Sequence, residues 1–421
     1  MPTSSVTVVG VGADGWDGLA PASRAVVSAA TVIIGSSRQL DLLPGEVSGR
    51  RVPLPSPLMP ALTALLDRQD PSGIVVLASG DPLLYGIGST LVRLLGADHV
   101  TVLPHPSSVS LAAARLGWSL DDLEVITTVG RPLALVHPAL QPGRRLLVLV
   151  SEPTAAADIR QLVCDRGFGA SRLTVLADLG GPDESVYPTG DIGDGAGPHS
   201  RLAIVAIECV ADPATTLLPR TPGLPDETYN GGLGGGLGGL GPDGQLTKHE
   251  IRAIVLAALR PVPGQLLWDV GAGSGSVGIE WMRVHPASRA IAIEPRADRR
   301  ERIAANASAL GVPGLTIVAG AAPAALVDLP APDAVFIGGG VTVDGVIAAC
   351  WGALALGGRL VANAVTIESE HVLVSWQAKF GGTLTRISVE RAGALGGFTT
   401  WRPALPVVQW SVGKPASRES E

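Results

Sequence analysis

The sequence predicts an α/β chain folded as two successive modules, and three observations carry that reading. Short apolar, β-branched runs alternate with helical patterns along most of the 421 residues, the sequence form of a parallel sheet covered on both faces. The length exceeds what one hydrophobic core ordinarily organises. The alternation collapses once, over 212–245, where proline recurs at 213, 219, 222, 225 and 242 and the run 231–241 is mostly glycine broken by leucines. Such a composition reads as a flexible linker. The expected organisation is therefore a module at 1–211, a Pro/Gly-rich linker at 212–245 and a module at 246–421. Six of the eight tryptophans follow residue 260, so the halves draw on different core vocabularies.

In order, strands are expected at 6–9, 31–34, 73–78 and 100–103, with helices at 24–30, 87–95 and 107–116. Further strands follow at 124–128, 145–150, 172–176 and 201–208, with a helix at 153–166, so the first module reads as two small α/β lobes. The second module has helices at 247–259, 278–285, 296–310, 343–355 and 367–380. Its strands fall at 265–270, 290–293, 315–318, 334–337, 359–365 and 385–391, and a last strand near 407–410 is expected to pair antiparallel at an edge.

Composition excludes several classes. Net charge is −7 and no long Lys/Arg run exists, so no basic face for nucleic acid is expected. The N-terminus enters a strand without a basic segment and an apolar one, unlike a signal peptide. No 18-residue apolar run is free of charge and glycine, so no membrane span is expected and the location reads as cytoplasmic. Cys164, Cys209 and Cys350 are far apart in apolar contexts, expected as buried free thiols with neither a disulfide framework nor a metal site.

The segment LLWDVGAGSGSVGIE, 266–280, carries the clearest chemistry. Gly271, Gly273 and Gly275 allow a tight strand-to-helix turn whose backbone can approach a ligand. Ala272 and Ser274 complete the turn. Asp269, just before it, can accept a hydrogen bond from an ammonium group or fix the loop. Glu294 ends the next strand, where a ribose diol meets a carboxylate. Gly273, Gly275 and Gly278 also satisfy the G-x-G-x-x-G spacing of dinucleotide sites, so spacing alone leaves a nicotinamide cofactor open. Downstream text favours S-adenosylmethionine (SAM): Asp269-Val-Gly-Ala resembles the first motif of class I SAM methyltransferases, Gly320-Ala321-Ala322-Pro323 resembles their adenine-side loop, and 356–360 resembles their Gly-Gly turn.

More specifically, LTKHEIRAIVLAALRPVPGQLLWDVGAGSGSVGIEWMR, PDAVFIGGG and GGRLVANAVTIESE resemble, over about 245–412, the cobalamin-pathway methyltransferases that act on precorrin-6B and decarboxylate it. The resemblance implies a Rossmann-like class I fold with SAM held by Thr247, the turn Gly271 to Gly275, Glu294 and Ala321. Ala321 departs from the family's usual acid, which puts its adenine contact in question. Gly338, Gly339 and Gly340 are expected as a pliable shelf beside the transferred methyl. Asn363 and Thr366 lie in the next loop, and Glu368, Glu370 and His371 are candidates to shuttle a proton. Turn and helix-cap chemistry is the structural alternative for each.

The first module carries VVGVGADGWDGL (8–19) and ASGDPLLYGIGSTL (78–91), and with HPSSVSLAAARLGW (105–118) they resemble the cobalt-corrinoid and sirohaem tetrapyrrole methylases. LADLGGPDESVYPTG (176–190) resembles a member that methylates C5. That family implies a two-lobed class III SAM fold, with a cofactor cleft at Gly10, Gly12, Gly80, Asp81, Pro82 and Leu83 and weaker contacts at Ser108 and near Ala177. Arg38 resembles a position at the substrate entrance. The structural alternatives are a plain turn for Gly10 and Gly12, a helix cap for Asp81 and core packing for Tyr85. Arg38, Arg131, Arg359 and Arg391 would serve as bidentate carboxylate partners only where they face a cleft.

Together the halves resemble a bifunctional decarboxylating methyltransferase family of aerobic cobalamin formation. The resemblance implies one SAM site per domain, no metal, the polycarboxylate tetrapyrrole precorrin-6Y as substrate, two methyl transfers with loss of CO₂, and a homo-oligomer. A nicotinamide-dependent oxidoreductase and a catalytically silent scaffold are the competing readings.

Overall fold

The structure, a computed structural model, describes residues 6–67, 73–151, 155–188, 203–229 and 246–416. Its contacts separate two units: Met1–Leu133 with Ala139–Thr215, and Ala134–Pro138 with Thr216–Glu421. The glycine run 231–241 lies outside the described residues.

The first unit opens with β1 (Val6–Val11), β2 (Val32–Gly35), β3 (Arg50–Pro53), β4 (Ile74–Ser79) and β5 (Val100–Leu103). They form one sheet in the order β3-β2-β4-β1-β5, every pair parallel. Successive side chains point to opposite faces of a strand. Val9, Val11, Ile33 and Leu77 therefore pack one core layer while Val8, Ile34, Val76 and Ala78 pack the other. The strand β3 was not expected: its sequence, RRVP, is mostly exposed and shows no apolar run.

A second lobe holds β6 (Glu124–Thr127), β7 (Arg145–Val150), β8 (Arg172–Ala177), β9 (Ser185–Pro188) and β10 (Ala203–Glu208), ordered β6-β7-β10-β8-β9. Here the parallel expectation is corrected. Only β6 and β7 run parallel, and β10 lies antiparallel between β7 and β8. A central strand buried on both faces is a continuous apolar run in either orientation, so the runs at 145–150 and 203–208 could not reveal direction.

The second unit contains β11 (Leu266–Val270), β12 (Arg289–Glu294), β13 (Thr316–Ala319), β14 (Ala334–Ile337), β15 (Arg359–Ala364), β16 (Thr383–Ile387), β17 (Glu390–Leu395), β18 (Phe398–Pro403) and β19 (Val407–Gly413). Seven of these form a sheet in the order β13-β12-β11-β14-β15-β19-β16, and β17 and β18 make a separate hairpin. The first five strands are parallel and β19 is antiparallel to both its neighbours. The last strand is thus antiparallel as expected, but β16 takes the edge and β19 sits inside. The expected strand at 385–391 is divided between β16 and β17. Trp268, Trp281 and Trp410 are fully buried, so the late tryptophans serve this core.

The proline-rich stretch before the glycine run differs from its linker reading. Leu224 and Tyr229 are 0 % and 1 % exposed and share a core cluster with Leu246, Val255 and Ile279. Residues 216–229 therefore belong to the second unit. Among the cysteines, Cys209 and Cys350 are buried but Cys164 is exposed, because it lies on the outer side of the helix Ala155–Asp165, whose buried residues are Ala156, Ile159 and Val163. Among the described residues no helix is long and apolar enough to cross a membrane.

Candidate functional sites

In the first unit, a cavity of about 410 Å³ opens at the carboxyl ends of β1 and β4, walled by Gly12, Arg38, Gly80, Asp81, Leu84 and Tyr85 among others. Gly10 lies inside β1, opposite Ala78, rather than in a turn. A Cβ there would stand 2.0 Å from the Gly80 carbonyl oxygen, and one on Gly12 would meet Asp14 Oδ1 at 2.4 Å and His105 Nε2 at 2.5 Å. Asp14 and His105 themselves approach to 3.3 Å. Glycine is thus required at Gly10 by close approach of backbone and at Gly80 by its left-handed φ of +56°, while at Gly12 the neighbours are two side-chain ends.

Asp81 accepts a hydrogen bond from the Leu83 N–H at 2.8 Å, which makes it a turn former, while Gly86 occupies the cap of the helix Ile87–Leu95. Pro82 is buried. Leu83 is 51 % exposed and does not line the cavity, where Leu84 does. Tyr85, with core packing as its structural alternative, is half exposed on the wall. Ser108 is also on the wall, whereas Ala177 is buried within β8.

Arg38 is presented by the short helix Ser37–Asp41, whose start is fixed by a capping box between Ser36 and Gln39. Its Nη2 donates to Ser79 Oγ at 2.9 Å. Burial holds the guanidinium below its ordinary pKa, opposed in part by Asp178. A desolvated cation whose hydrogen-bond partner is a neutral hydroxyl favours an anion beside it.

In the second unit, the sheet order reverses at β11, which lies between β12 and β14. Ligands of open α/β sheets bind at such a point, outside the carboxyl ends. Gly271, Gly273 and Gly275 all have positive φ, between +60° and +77°. A Cβ on Gly271 would lie 2.9 Å from Gly339 N and Cα, so the first turn and the Gly338 to Gly340 shelf nearly touch. Gly338 N–H donates to the Val270 carbonyl at 2.9 Å. Ala272 donates to the Ile293 carbonyl, tying the turn to β12.

Asp269 and Glu294 are each 1 % exposed. Asp269 Oδ2 accepts from the Gly278 N–H at 2.9 Å and so fixes the loop. Burial, reinforced by the nearby Glu294 charge, pushes its pKa up to about 7. Glu294 accepts from the N–H of Gly273 (2.9 Å) and of Arg296 (3.1 Å), which leaves acceptor capacity for hydroxyls. Ser274 Oγ and Asn306 Oδ1 are buried with no hydrogen-bond partner among the described residues, although Asn306 Nδ2 holds the Ser274 carbonyl at 3.0 Å. Gly320 has φ +140°, and Ala321 is exposed with its carbonyl bonded by Ala325 N–H. A cradle that tolerates no Cβ, two buried acids and unmatched polar atoms fit a ribose-bearing, cationic cofactor.

The next loop is dominated by helix capping. Thr366 caps Ile367–Phe380, accepting from Ser369 N–H, and Asn363 Oδ1 accepts from Gln409 at 3.2 Å. Glu368 is exposed, and bonds from its own backbone N–H and the Thr366 hydroxyl hold its carboxyl below the usual range. Glu370 pairs with Arg386, and His371 is exposed. Arg359 begins β15, at the amino end of the sheet, and bonds the Ala258 carbonyl at 2.9 Å. It therefore cannot serve a carboxyl-edge cleft. Arg391 is paired with Glu250 at 2.5 Å.

Behind the glycine turn lies a buried hub that sequence patterning does not announce. Glu280 Oε1 accepts from Arg252 Nε (2.5 Å), Tyr229 OH (2.8 Å) and Leu224 N–H (3.0 Å), and Oε2 from Gly223 N–H (2.6 Å). Arg252 also donates to the carbonyls of Thr247 and Leu224. The hub thereby fixes Thr247, which is partly buried at the entry to the helix His249–Leu259. Arg252 and Glu280 fall on helices whose inner faces are mainly apolar, although Ser276 and Arg283 are buried there too.

These two carboxyl-edge sites, in two different α/β folds, define a two-domain methyltransferase. Residues 5–194 match the family model described as tetrapyrrole (corrin/porphyrin) methylases, and residues 240–414 the one described as a precorrin methyltransferase domain. A Sinorhizobium precorrin-6Y C(5,15)-methyltransferase [decarboxylating] is 46 % identical over 96 % of this chain and 95 % of its own length. Shorter relatives include a Salmonella typhimurium cobalt-precorrin-7 C(5)-methyltransferase, 30 % identical over 43 % of this chain and 89 % of its own length. A probable cobalt-precorrin-6B C(15)-methyltransferase (decarboxylating) from Pyrobaculum calidifontis is 32 % identical over 44 % of this chain and 93 % of its own length. The chain belongs to the precorrin-6Y C5,15-methyltransferase (decarboxylating) family. That membership implies SAM as the methyl donor.

Proposed function

We propose that this chain methylates precorrin-6Y at C5 in the first unit and at C15 in the second, where the C12 acetate also leaves as CO₂, giving precorrin-8X. The observation that carries the reading is the presence of two separate sites, each with backbone that approaches too closely for a Cβ, at Gly10 and at Gly271. The existence of half-length relatives named for C5 and for C15 supports the division of labour.

Each unit would hold one SAM. In the first, Gly10, Gly12, Gly80, Asp81 and Pro82 form the cradle. In the second, Thr247, Asp269, the turn Gly271 to Gly275, Glu294, Gly320 and Ala321 do so. When bound, SAM supplies an electrophilic sulfonium methyl for a nucleophilic ring carbon. The chain's contribution is positioning and water exclusion. Glu294 offers its remaining lone pairs to hydroxyls, and Asp269 offers a buried carboxyl whose ionised form gains from a neighbouring cation. Arg38 would draw a substrate carboxylate toward the first cavity. Gly338 to Gly340, having no side chains, leave room for a macrocycle edge beside Gly271. Asn363 and Thr366 stand in the loop beyond β15, and Glu368, ionised at neutral pH, would act there as a proton acceptor. We further propose a cytoplasmic homo-oligomer.

Calorimetric titration of the full chain tests the cofactor reading. Two SAM bound per chain, with no NAD bound, is the expected result. Tight NAD binding without SAM binding overturns it.

A further inference from the structure

Tyr85 stands out in the first cavity. Its φ is +54°, a left-handed conformation that a bulky L residue rarely adopts. The loop allows little relief: a Cβ on Gly86 or Gly88 would already lie 2.5 or 2.6 Å from the Pro82 carbonyl oxygen. The side chain is nevertheless 49 % exposed, so burial does not explain the strain. Its hydroxyl donates to the Val125 carbonyl at 3.1 Å, which anchors the far end of the ring on β6 of the second lobe. The Arg131 guanidinium lies over the ring, 5.6 Å from its centroid, and the ring lines the same cavity as Arg38. Strained backbone persists where surrounding structure over-determines it, most often at ligand sites.

We infer that Tyr85 is a specificity-determining wall of the first site, against whose ring the macrocycle of the substrate lies, with Arg38, which lines the same cavity, receiving one of its carboxylates. The inference rests on the functional reading above and names the residue that recognises the substrate's ring system. A fixed aromatic face suits the apolar ring system of a ligand whose carboxylates lie at its rim. The cofactor cradle, by contrast, is made of glycines and backbone.

The test uses the full chain, following C5 methylation by product mass at varied macrocycle and varied SAM. Tyr85→Gly accepts the left-handed φ without strain and so keeps the fold while deleting the ring. It should raise KM for the macrocycle on the order of ten-fold, leaving KM for SAM and C15 methylation unchanged. Tyr85→Phe keeps the ring but frees it from the Val125 carbonyl, and should raise the macrocycle KM less than Tyr85→Gly does. An unchanged macrocycle KM in Tyr85→Gly, or a change confined to SAM, overturns the inference alone. Absence of any C5-methylated product from the unaltered chain overturns the functional reading and the inference with it.

Discussion

Arg252 and Glu280 form an ion pair at 2.5 Å with side chains 0 % and 2 % exposed. The pair closes a network that joins residues 223–229, the entry helix and the helix behind the glycine turn. Glu280→Gln keeps the shape but leaves the buried guanidinium only Asp226, at 3.3 Å, as a counter-charge, which should cost about 3 kcal/mol. Denaturant unfolding should show the second unit's transition weakened by that amount, while C5 methylation by the first unit persists.

Asp269 gives the second unit a pH signature. Its folded pKa is raised from 3.8 to about 7, so between those values the folded state keeps a proton that the unfolded chain has lost. The group's contribution to stability is therefore full below about pH 4 and is lost as pH rises through about 7, on the order of 4 kcal/mol in all. Asp269→Asn keeps an acceptor for Gly278 N–H without the charge. Melting curves across this window should fall less steeply with rising pH in the variant. A cation bound nearby favours the ionised acid, so SAM binding to the unaltered chain should release a proton near neutrality, measurable by calorimetry in buffers of different ionisation enthalpy.

Gly271→Ala should lose cofactor binding in the second unit. Its φ is +70° and the added carbon would stand 2.9 Å from Gly339. Left-handed strain alone costs about 1–2 kcal/mol, and the overlap adds to it. Titration should then show one SAM bound per chain in place of two.

Thr366 and Glu368 separate capping from chemistry. Thr366→Ala should lower stability by about 1 kcal/mol through loss of the cap. If Glu368 accepts a proton in the second reaction, Glu368→Gln should reduce kcat for C15 methylation and leave stability and KM for SAM unchanged. Denaturant unfolding checks the first, and steady-state kinetics with the C15-methylated product as readout checks the second.

The turn at Gly271 to Gly275 was legible because it demands a backbone that other residues refuse, and apolar runs of four to six residues located most strands, whereas Gly10, expected in a turn, lies inside β1. The hub was not legible. Arg252 and Glu280 carry charges that ordinarily mark a solvated face, and only the fold shows that residues 223–229 cover them. Prolines at 219, 222 and 225 suggested a linker because proline punctuates both linkers and packed irregular chain, and Leu224 and Tyr229 decide the matter by their burial. Tyr85 could not be singled out, since a left-handed φ at a non-glycine residue leaves no trace in composition. Whether Arg359 faces a cleft is not legible in the sequence, and its register at the first position of β15 places it at the opposite end of the sheet.

The division of two methylations between two units is tested most directly by product mass from full-length variants with one cradle filled. Gly12→Val should yield macrocycle methylated once, at C15, and decarboxylated. Gly271→Val should yield macrocycle methylated once, at C5, with every carboxyl retained. Two methyl groups from either variant, or CO₂ loss from the Gly271→Val chain, would contradict the account.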